Sequence, residues 1–294
     1  MDISRLRKIL FFYAIFYATL IALFGVMLAV CCQTLDDNKP KRHGVDSLIG
    51  GNPGSAIHID FSTTLKKHCF LGLAFRPMPP DSKSTLIWYN TKEPKDVQYW
   101  IEELDSFLEK YHSQNSFETV QNCNRNKQPD ENKFCAFQLT PDFAPCTKDY
   151  RYGFDGKERG GPCIFLKLNK IFGWQPEFYT NATAPSEMPK HLRDHIAKEE
   201  LQERHQIIWV DCMGENPTDV ENIGPINYHP QRGFKGKYFP FHNVKGYVSP
   251  LVAVHFERPQ RGVLINIECK AWARNIIHDR VDRRGSVHFE LMVD

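Results

Sequence analysis

Apolar and polar positions are distributed unevenly along this 294-residue chain. From Ile9 to Val30 there are 22 consecutive uncharged residues, preceded by Arg5, Arg7 and Lys8. About 20 apolar residues cross a bilayer core as a helix, and basic residues on a short N-terminal flank hold that flank in the cytoplasm. The pattern predicts a type II membrane protein with residues 1–8 as a short cytoplasmic tail and 9–30 as the transmembrane helix. Everything after Val30 would then face outward. A cleaved signal peptide has a core of about 7–15 residues ending at a small-x-small site. This run is longer and ends Leu28-Ala29-Val30-Cys31-Cys32, which favours an anchor. No polar face interrupts it, so a buried core helix fits less well.

Residues 31–94 have neither helical nor strand periodicity. Asp36-Asp37-Asn38-Lys39-Pro40, Gly50-Gly51-Asn52-Pro53-Gly54 and Arg76-Pro77-Met78-Pro79-Pro80 predict an extended stalk. From Pro94 to Tyr111 the pattern changes. Val97, Trp100, Ile101, Leu104, Phe107, Leu108 and Tyr111 follow i, i+3, i+4, i+7 spacing, with Glu102, Glu103 and Glu109 elsewhere. This predicts one amphipathic helix lying on a sheet, its aromatic stripe serving as core rather than as a ligand box. Five β-branched or alternating runs follow: Cys163–Leu168, Gln206–Cys212, Leu251–Phe256, Val263–Cys269 and Ser286–Val293. Residues 95–294 are therefore expected to form a mainly-β ectodomain, an antiparallel β-sandwich carrying one helix. Glu187–Arg204 is polar with weak apolar periodicity and is expected to be a surface insertion.

Charge and cysteines narrow the picture. Beyond Val30 the chain carries 34 basic and 34 acidic residues, so the ectodomain is formally neutral and offers no basic surplus for nucleic acid. Cys31 and Cys32 sit at the membrane boundary. The others are Cys69, Cys123, Cys135, Cys146, Cys163, Cys212 and Cys269. Outside the cell, disulfides are the default. With seven cysteines one is left over, and spacing alone does not choose among the connectivities. No Cys-x-x-Cys or Cys-x-x-His spacing supports zinc. Cys212 and Cys269 both fall at the ends of expected strands, where a bridge between them would staple the sheets. Asn181-Ala182-Thr183, set between Pro176 and Pro185, is a candidate N-glycosylation site.

Catalytic motifs are missing. A type II lumenal glycosyltransferase shares this topology, but its metal-binding Asp-x-Asp does not occur here. Neither do Gly-x-Ser-x-Gly, a Gly-rich phosphate loop or His-Glu-x-x-His. His191 and His195 are spaced i, i+4 among charged residues, which suits a solvated helix face better than a metal site. His242, His255 and His288 fall in β-rich sequence as packed or surface residues. No cofactor or metal is expected. The membrane helix is more informative. Phe12, Tyr13, Phe16 and Tyr17 occupy i, i+1, i+4 and i+5, so two Phe-Tyr pairs share one side. Tyr17 lies roughly 12 Å deeper than Ile9 at 1.5 Å per residue, too deep for an interfacial belt. A hydroxyl there favours a protein partner.

Several stretches resemble the β subunit of Na+/K+-transporting ATPases. Lys8-Ile9-Leu10-Phe11-Phe12-Tyr13-Ala14-Ile15-Phe16-Tyr17 is similar to that family's membrane entry. Gly72-Leu73-Ala74-Phe75-Arg76-Pro77-Met78-Pro79 is similar to its insect branch. Tyr152-Gly153-Phe154 and Gly161-Pro162-Cys163-Ile164-Phe165-Leu166-Lys167-Leu168-Asn169-Lys170 resemble its Tyr-Gly-Tyr…Pro-Cys-(apolar)-Lys-Leu-Asn segment. Tyr238-Phe239-Pro240-Phe241 resembles Tyr-Tyr-Pro-Tyr, and Ile267-Glu268-Cys269-Lys270-Ala271 resembles Ile-Glu-Cys-Lys-Ala.

The resemblance implies a non-catalytic plasma-membrane subunit with its C-terminus extracellular. Its partners would be a P-type ATPase α subunit and membrane lipid. It would assist folding, delivery and stability of the α subunit and tune potassium affinity. It further implies an immunoglobulin-like sandwich, the pairs Cys123–Cys135, Cys146–Cys163 and Cys212–Cys269, and α-subunit contacts through Tyr13, Phe16 and Tyr17. Three departures stand out. Only eight residues precede the span, where the family has a cytoplasmic tail with a Gly-Arg-Thr…Trp motif. Small residues after the aromatic pairs are reduced to Ala14, Ala18, Ala22 and Gly25. Ser55 to Gly72, containing Cys69, interrupt a stretch that is continuous in insect members. Those eighteen residues are a whole number of codons, and Cys69-Phe70-Leu71-Gly72 is encodable as TGTTTCTTAGG, a pyrimidine tract ending in an acceptor AG. A retained intron accounts for both facts, and transcripts that consistently contain these codons would exclude it. The rival from another class is a pump-independent β-like adhesion or junction protein.

Overall fold

The computed structural model describes residues 3–36, 39–41, 72–81, 83–112, 118–121, 123, 129–130, 132–156, 160–180, 183–200, 206–279 and 284–294. It divides into two compact units, Met1–Arg42 and His43–Asp294. The first is built on one helix, α1 (Ile3–Gln33). This is longer at both ends than the expected 9–30 span, because no proline or glycine breaks the flanking residues. It stops at Thr34, whose amide and hydroxyl both donate to the Cys31 carbonyl, at 3.1 and 2.8 Å.

In the second unit, eleven strands and three helices are described. The strands are β1 (Leu73–Arg76), β2 (Leu86–Tyr89), β3 (Val120–Gln121), β4 (Phe134–Cys135), β5 (Cys163–Leu168), β6 (Ile207–Gly214), β7 (Ile226–His229), β8 (Gly233–Lys235), β9 (Leu251–Phe256), β10 (Ile265–Trp272) and β11 (Ser286–Val293). The helices are α2 (Pro94–His112), α3 (Lys190–Glu200) and α4 (Pro217–Asn222). One sheet has the order β1-β5-β9-β7 and the other β2-β11-β10-β6-β8, with β3 and β4 as a separate pair.

Alternation decides which side chains face inward. On β10, Ile265, Ile267, Cys269 and Ala271 are fully buried; their partners on β11 include Leu291, Phe289 and Val287. Phe289 closes the gap between the sheets, its ring 5.1 Å from Phe75 on β1 and 6.0 Å from Phe256 on β9. The opposite face of the first sheet is covered in turn. Phe165 on β5 meets Phe143 and Tyr152 from two 3₁₀ segments, and α2 lays its stripe beside them. The seven residues of that stripe are the seven that α2 buries. Trp100 stacks on Phe154 at 6.2 Å and donates to the Trp88 carbonyl at 3.1 Å.

Four expectations need correction. Residues 72–94 are not stalk: β1 and β2 are strands of the two main sheets. Their four-residue lengths and flanking prolines hid the alternation. The sandwich is mixed rather than wholly antiparallel, because β2 runs parallel to β11. Glu187–Arg204 is not a simple surface insertion. Leu192 and Ile196 of α3, with Met188, form a second apolar cluster against Ile207, Trp209 and Trp272. The ectodomain therefore carries more than one packed helix. Finally, Cys212 and Cys269 face each other on neighbouring strands of one sheet, so their bond joins β6 to β10 and does not staple sheet to sheet. The expected insertion at Ser55–Gly72 lies outside the described residues, apart from Gly72 itself.

Candidate functional site

The membrane-length helix presents the most distinctive surface. Within Arg7–Gln33 an 18-residue stretch reaches a mean hydropathy of 2.5, and the described side chains of the helix are exposed within their own unit, a surface suited to lipid or to another helix. Its one mid-helix hydroxyl outside the tyrosines is satisfied internally: Thr19 Oγ1 donates to the carbonyls of Ile15 and Phe16, both at 2.8 Å. This is how an apolar helix carries threonine without a lipid-facing polar group.

The aromatic residues form a four-ring cluster. Phe12 stacks on Phe16 at 6.4 Å and Tyr13 on Tyr17 at 6.2 Å; edge contacts of 5.6 and 5.5 Å tie the rows together. All four rings stay about half exposed or more. Among the described residues, neither tyrosine hydroxyl has a hydrogen-bond partner. Helical geometry places Ala14, Ala18, Ala22 and Gly25 on the opposite side. The helix thus has a broad aromatic face bearing two hydroxyls and a smooth face of small residues.

In the ectodomain the structure joins Cys123 to Cys135, Cys146 to Cys163 and Cys212 to Cys269. Asn181 lies outside the described residues. His191 and His195 are not a metal pair. His191 Nε2 lies 2.9 Å from Oδ1 of the buried Asp211, which also accepts from Arg232, whereas His195 packs edge-on against Trp209 at 5.5 Å. Burial and the nearby Arg232 cation lower the His195 pKa. His288 sits against Glu215 at 2.5 Å, His255 is buried, and His242 meets Phe172. No group of three or more metal-ligating side chains occurs among the described residues.

The segments that carry the resemblance hold the sandwich together. Gly153 has φ +76°, and a Cβ there would sit 2.2 Å from the Gly161 carbonyl oxygen. Glycine is therefore what lets Tyr152-Gly153-Phe154 lie directly against Gly161-Pro162-Cys163. The Tyr152 hydroxyl donates to Asp105 of α2 at 2.7 Å, locking that helix to the same corner. Tyr238 packs edge-on against Phe137 at 5.3 Å, Phe239 against Trp174 at 5.7 Å and Phe241 beside Tyr247 at 5.0 Å. Burial pushes the Tyr238 hydroxyl up to about 12. These are packing and positioning roles.

Sequence reasoning missed one cluster. Arg76, Lys110 and Lys167 converge on the Phe107 ring, with charge-to-centroid distances of 5.5, 4.4 and 5.7 Å. Lys170 lies over Phe241 and Tyr247 nearby. The four residues come from three separated segments, and no local motif announces them.

Comparison with known proteins gives a consistent answer. The model of the family described as sodium/potassium ATPase beta chain matches residues 3–289. The sodium/potassium-transporting ATPase subunit beta-2 of Drosophila melanogaster is 44% identical over 296 residues, covering 98% of this chain and 85% of the relative. The subunit beta-1 of the same fly is 38% identical, with the same shares covered. The human subunit beta-2 is 26% identical over 97% of this chain and 86% of its own length. The match runs through both the membrane helix and the sandwich, and the chain belongs to the sodium/potassium ATPase beta-chain family.

Proposed function

We propose that this chain is the non-catalytic β subunit of a P-type Na+/K+-ATPase. It assists folding, membrane delivery and stability of the catalytic α subunit and modulates the pump's affinity for potassium. ATP hydrolysis and the ion sites belong to the α subunit. The chain spans the plasma membrane once through residues 9–30, with residues 1–8 in the cytoplasm and the disulfide-bonded ectodomain outside. Asn181 carries a glycan there. The α subunit docks on the aromatic face of α1, where it covers the Phe16 ring and supplies acceptors for the Tyr13 and Tyr17 hydroxyls.

The observation that carries this reading is the extent of the relationship: 44% identity across 98% of the chain, including the membrane helix. The aromatic face supports the docking mode, because a hydroxyl in hydrocarbon is costly unless it is paired. Co-expression with an α subunit tests it. The wild-type chain should bring the α subunit to the cell surface. Replacing Tyr13, Phe16 and Tyr17 together with Leu should reduce surface α subunit several-fold while the ectodomain keeps its three disulfides. Unchanged delivery by that variant would refute the docking face, and no delivery by the wild type would refute the subunit role.

A further inference from the structure

Four cations meet at the edge of the first sheet, where the last turns of α2 cross β1 and β5. The Arg76 guanidinium and the ammonium groups of Lys110 and Lys167 all lie within 6 Å of the Phe107 ring centroid, at 5.5, 4.4 and 5.7 Å. Phe107 is 8% exposed and forms the floor beneath them. Lys170 borders the group, its Nζ 5.3 Å from Phe241 and 5.2 Å from Tyr247, and donates to the Tyr247 carbonyl at 3.1 Å. Register explains the convergence. Arg76 and Lys167 project from the outer face of paired strands, Arg76 opposite Phe165 and Lys167 opposite Ala74. Lys110 comes from the facing helix, one turn beyond Phe107.

Glu103, one helical turn before Phe107, acts as a counter-charge to Arg76 and Lys110, and burial raises its pKa. The negative end of the α2 dipole adds a fraction of a charge at Tyr111–His112. Quadrupole attraction to Phe107 is worth only about 0.5–1 kcal/mol per exposed cation, and like charges this close oppose one another. Repulsion leaves its mark: burial, then Lys110, Arg76 and Lys170, lower the Lys167 pKa to about 8. Lys110 and Lys170 are lowered as well, chiefly by burial.

We propose that Arg76, Lys110, Lys167 and Lys170 form a binding site for a divalent tetrahedral oxyanion, a sulfate or phosphate group, seated over Phe107. Such a group accepts charge-assisted hydrogen bonds from a guanidinium fork and ammonium groups together, and offsets their mutual repulsion. The site is independent of the aromatic face of α1 and of the subunit reading.

The test uses the full chain in mild detergent, titrated calorimetrically with sodium sulfate, then inorganic phosphate, against sodium chloride at matched ionic strength. Saturable one-to-one sulfate binding is expected, weakening at least tenfold in the combined Lys110→Gln, Lys167→Gln variant and unchanged in Lys198→Gln on α3. Wild-type binding should also weaken from pH 7 to pH 9, as Lys167 loses its proton between Arg76, Glu103, Lys110 and Lys170. A measurement on the unmodified protein guards against a folding defect. Sulfate should protect Lys110 and Lys167, but not Lys198, from acylation read by mass spectrometry. Heats indistinguishable from chloride, or acylation of Lys110 and Lys167 unaffected by sulfate, would overturn the proposal. The source of the group follows from competition. Displacement of sulfate by a heparin-derived tetrasaccharide identifies a sulfated glycan, displacement by phosphatidic acid vesicles a lipid headgroup, and displacement by inorganic phosphate alone the free ion.

Discussion

Removing the Cys212–Cys269 bond should destabilise the ectodomain more than removing either of the other two. The two cysteines are 57 residues apart in sequence, against 17 for Cys146–Cys163 and 12 for Cys123–Cys135. A cross-link acts largely by restricting the unfolded chain, with an entropy that grows as the logarithm of the enclosed loop. That gives ~4.2 kcal/mol for the longest loop and ~3.1 and ~2.8 kcal/mol for the others. Burial does not separate this bond from Cys146–Cys163, whose cysteines are 2% and 0% exposed against 4% and 0% for Cys212 and Cys269. Cys212 and Cys269 do, however, pair β6 with β10, two interior strands of the five-stranded sheet. Paired Cys→Ala variants of the full chain, unfolded by urea in detergent, would give the three losses. Tryptophan fluorescence is a suitable probe, because Trp100, Trp174, Trp209 and Trp272 are all buried. The urea dependence should steepen as the cross-link is lost, since the unfolded chain exposes more surface. A Cys212→Ala, Cys269→Ala protein that loses no more stability than the Cys123/Cys135 variant would refute the reasoning.

Three further outcomes are expected. Phe289→Ala should cost about 3–5 kcal/mol, because its ring fills the space between Phe75 and Phe256, whereas Ile277→Ala, at 60% exposure, should stay within about 0.5 kcal/mol; equal effects in urea unfolding would place the core elsewhere. Asp211→Ala should cost about 3–5 kcal/mol by stranding the Arg232 cation, visible as a lowered Tm; a neutral result would mean that Arg232 finds another acceptor. Acidification from pH 7.5 to 5.5 should lower Tm, because burial depresses the pKa of His195, His229 and His278 in the folded state. The unfolded chain then binds more protons below about 6.5, and His278→Gln should reduce the fall; a Tm that is constant or rises would contradict it.

How much of this was legible in the sequence depended on element length and on whether the partner residues were local. The α2 stripe could be read directly, because seven apolar residues at helical spacing leave one geometric solution. The five longer strand runs could be read in the same way. By contrast, β1, β2, β7 and β8 have only three or four residues each, too few for a period-2 pattern to stand out beside Pro77, Pro225 and Pro230. In α3, Leu192 and Ile196 form a thin stripe that gains meaning only when Trp209 and Trp272 arrive from distant strands. The aromatic face of α1 was legible because its four rings lie within six residues of one helix. The cation cluster over Phe107 was not, since β1, α2 and β5 supply its members and only the folded sheet brings them together.

The central claim is that this chain works as the partner of a cation-pump α subunit. Mild-detergent purification of the endogenous protein, with every co-purifying chain identified and quantified by mass spectrometry, tests it most directly. The account predicts a P-type ATPase α subunit at one-to-one stoichiometry. Its absence, with junction or matrix proteins in its place, would contradict the account and favour a pump-independent adhesion role.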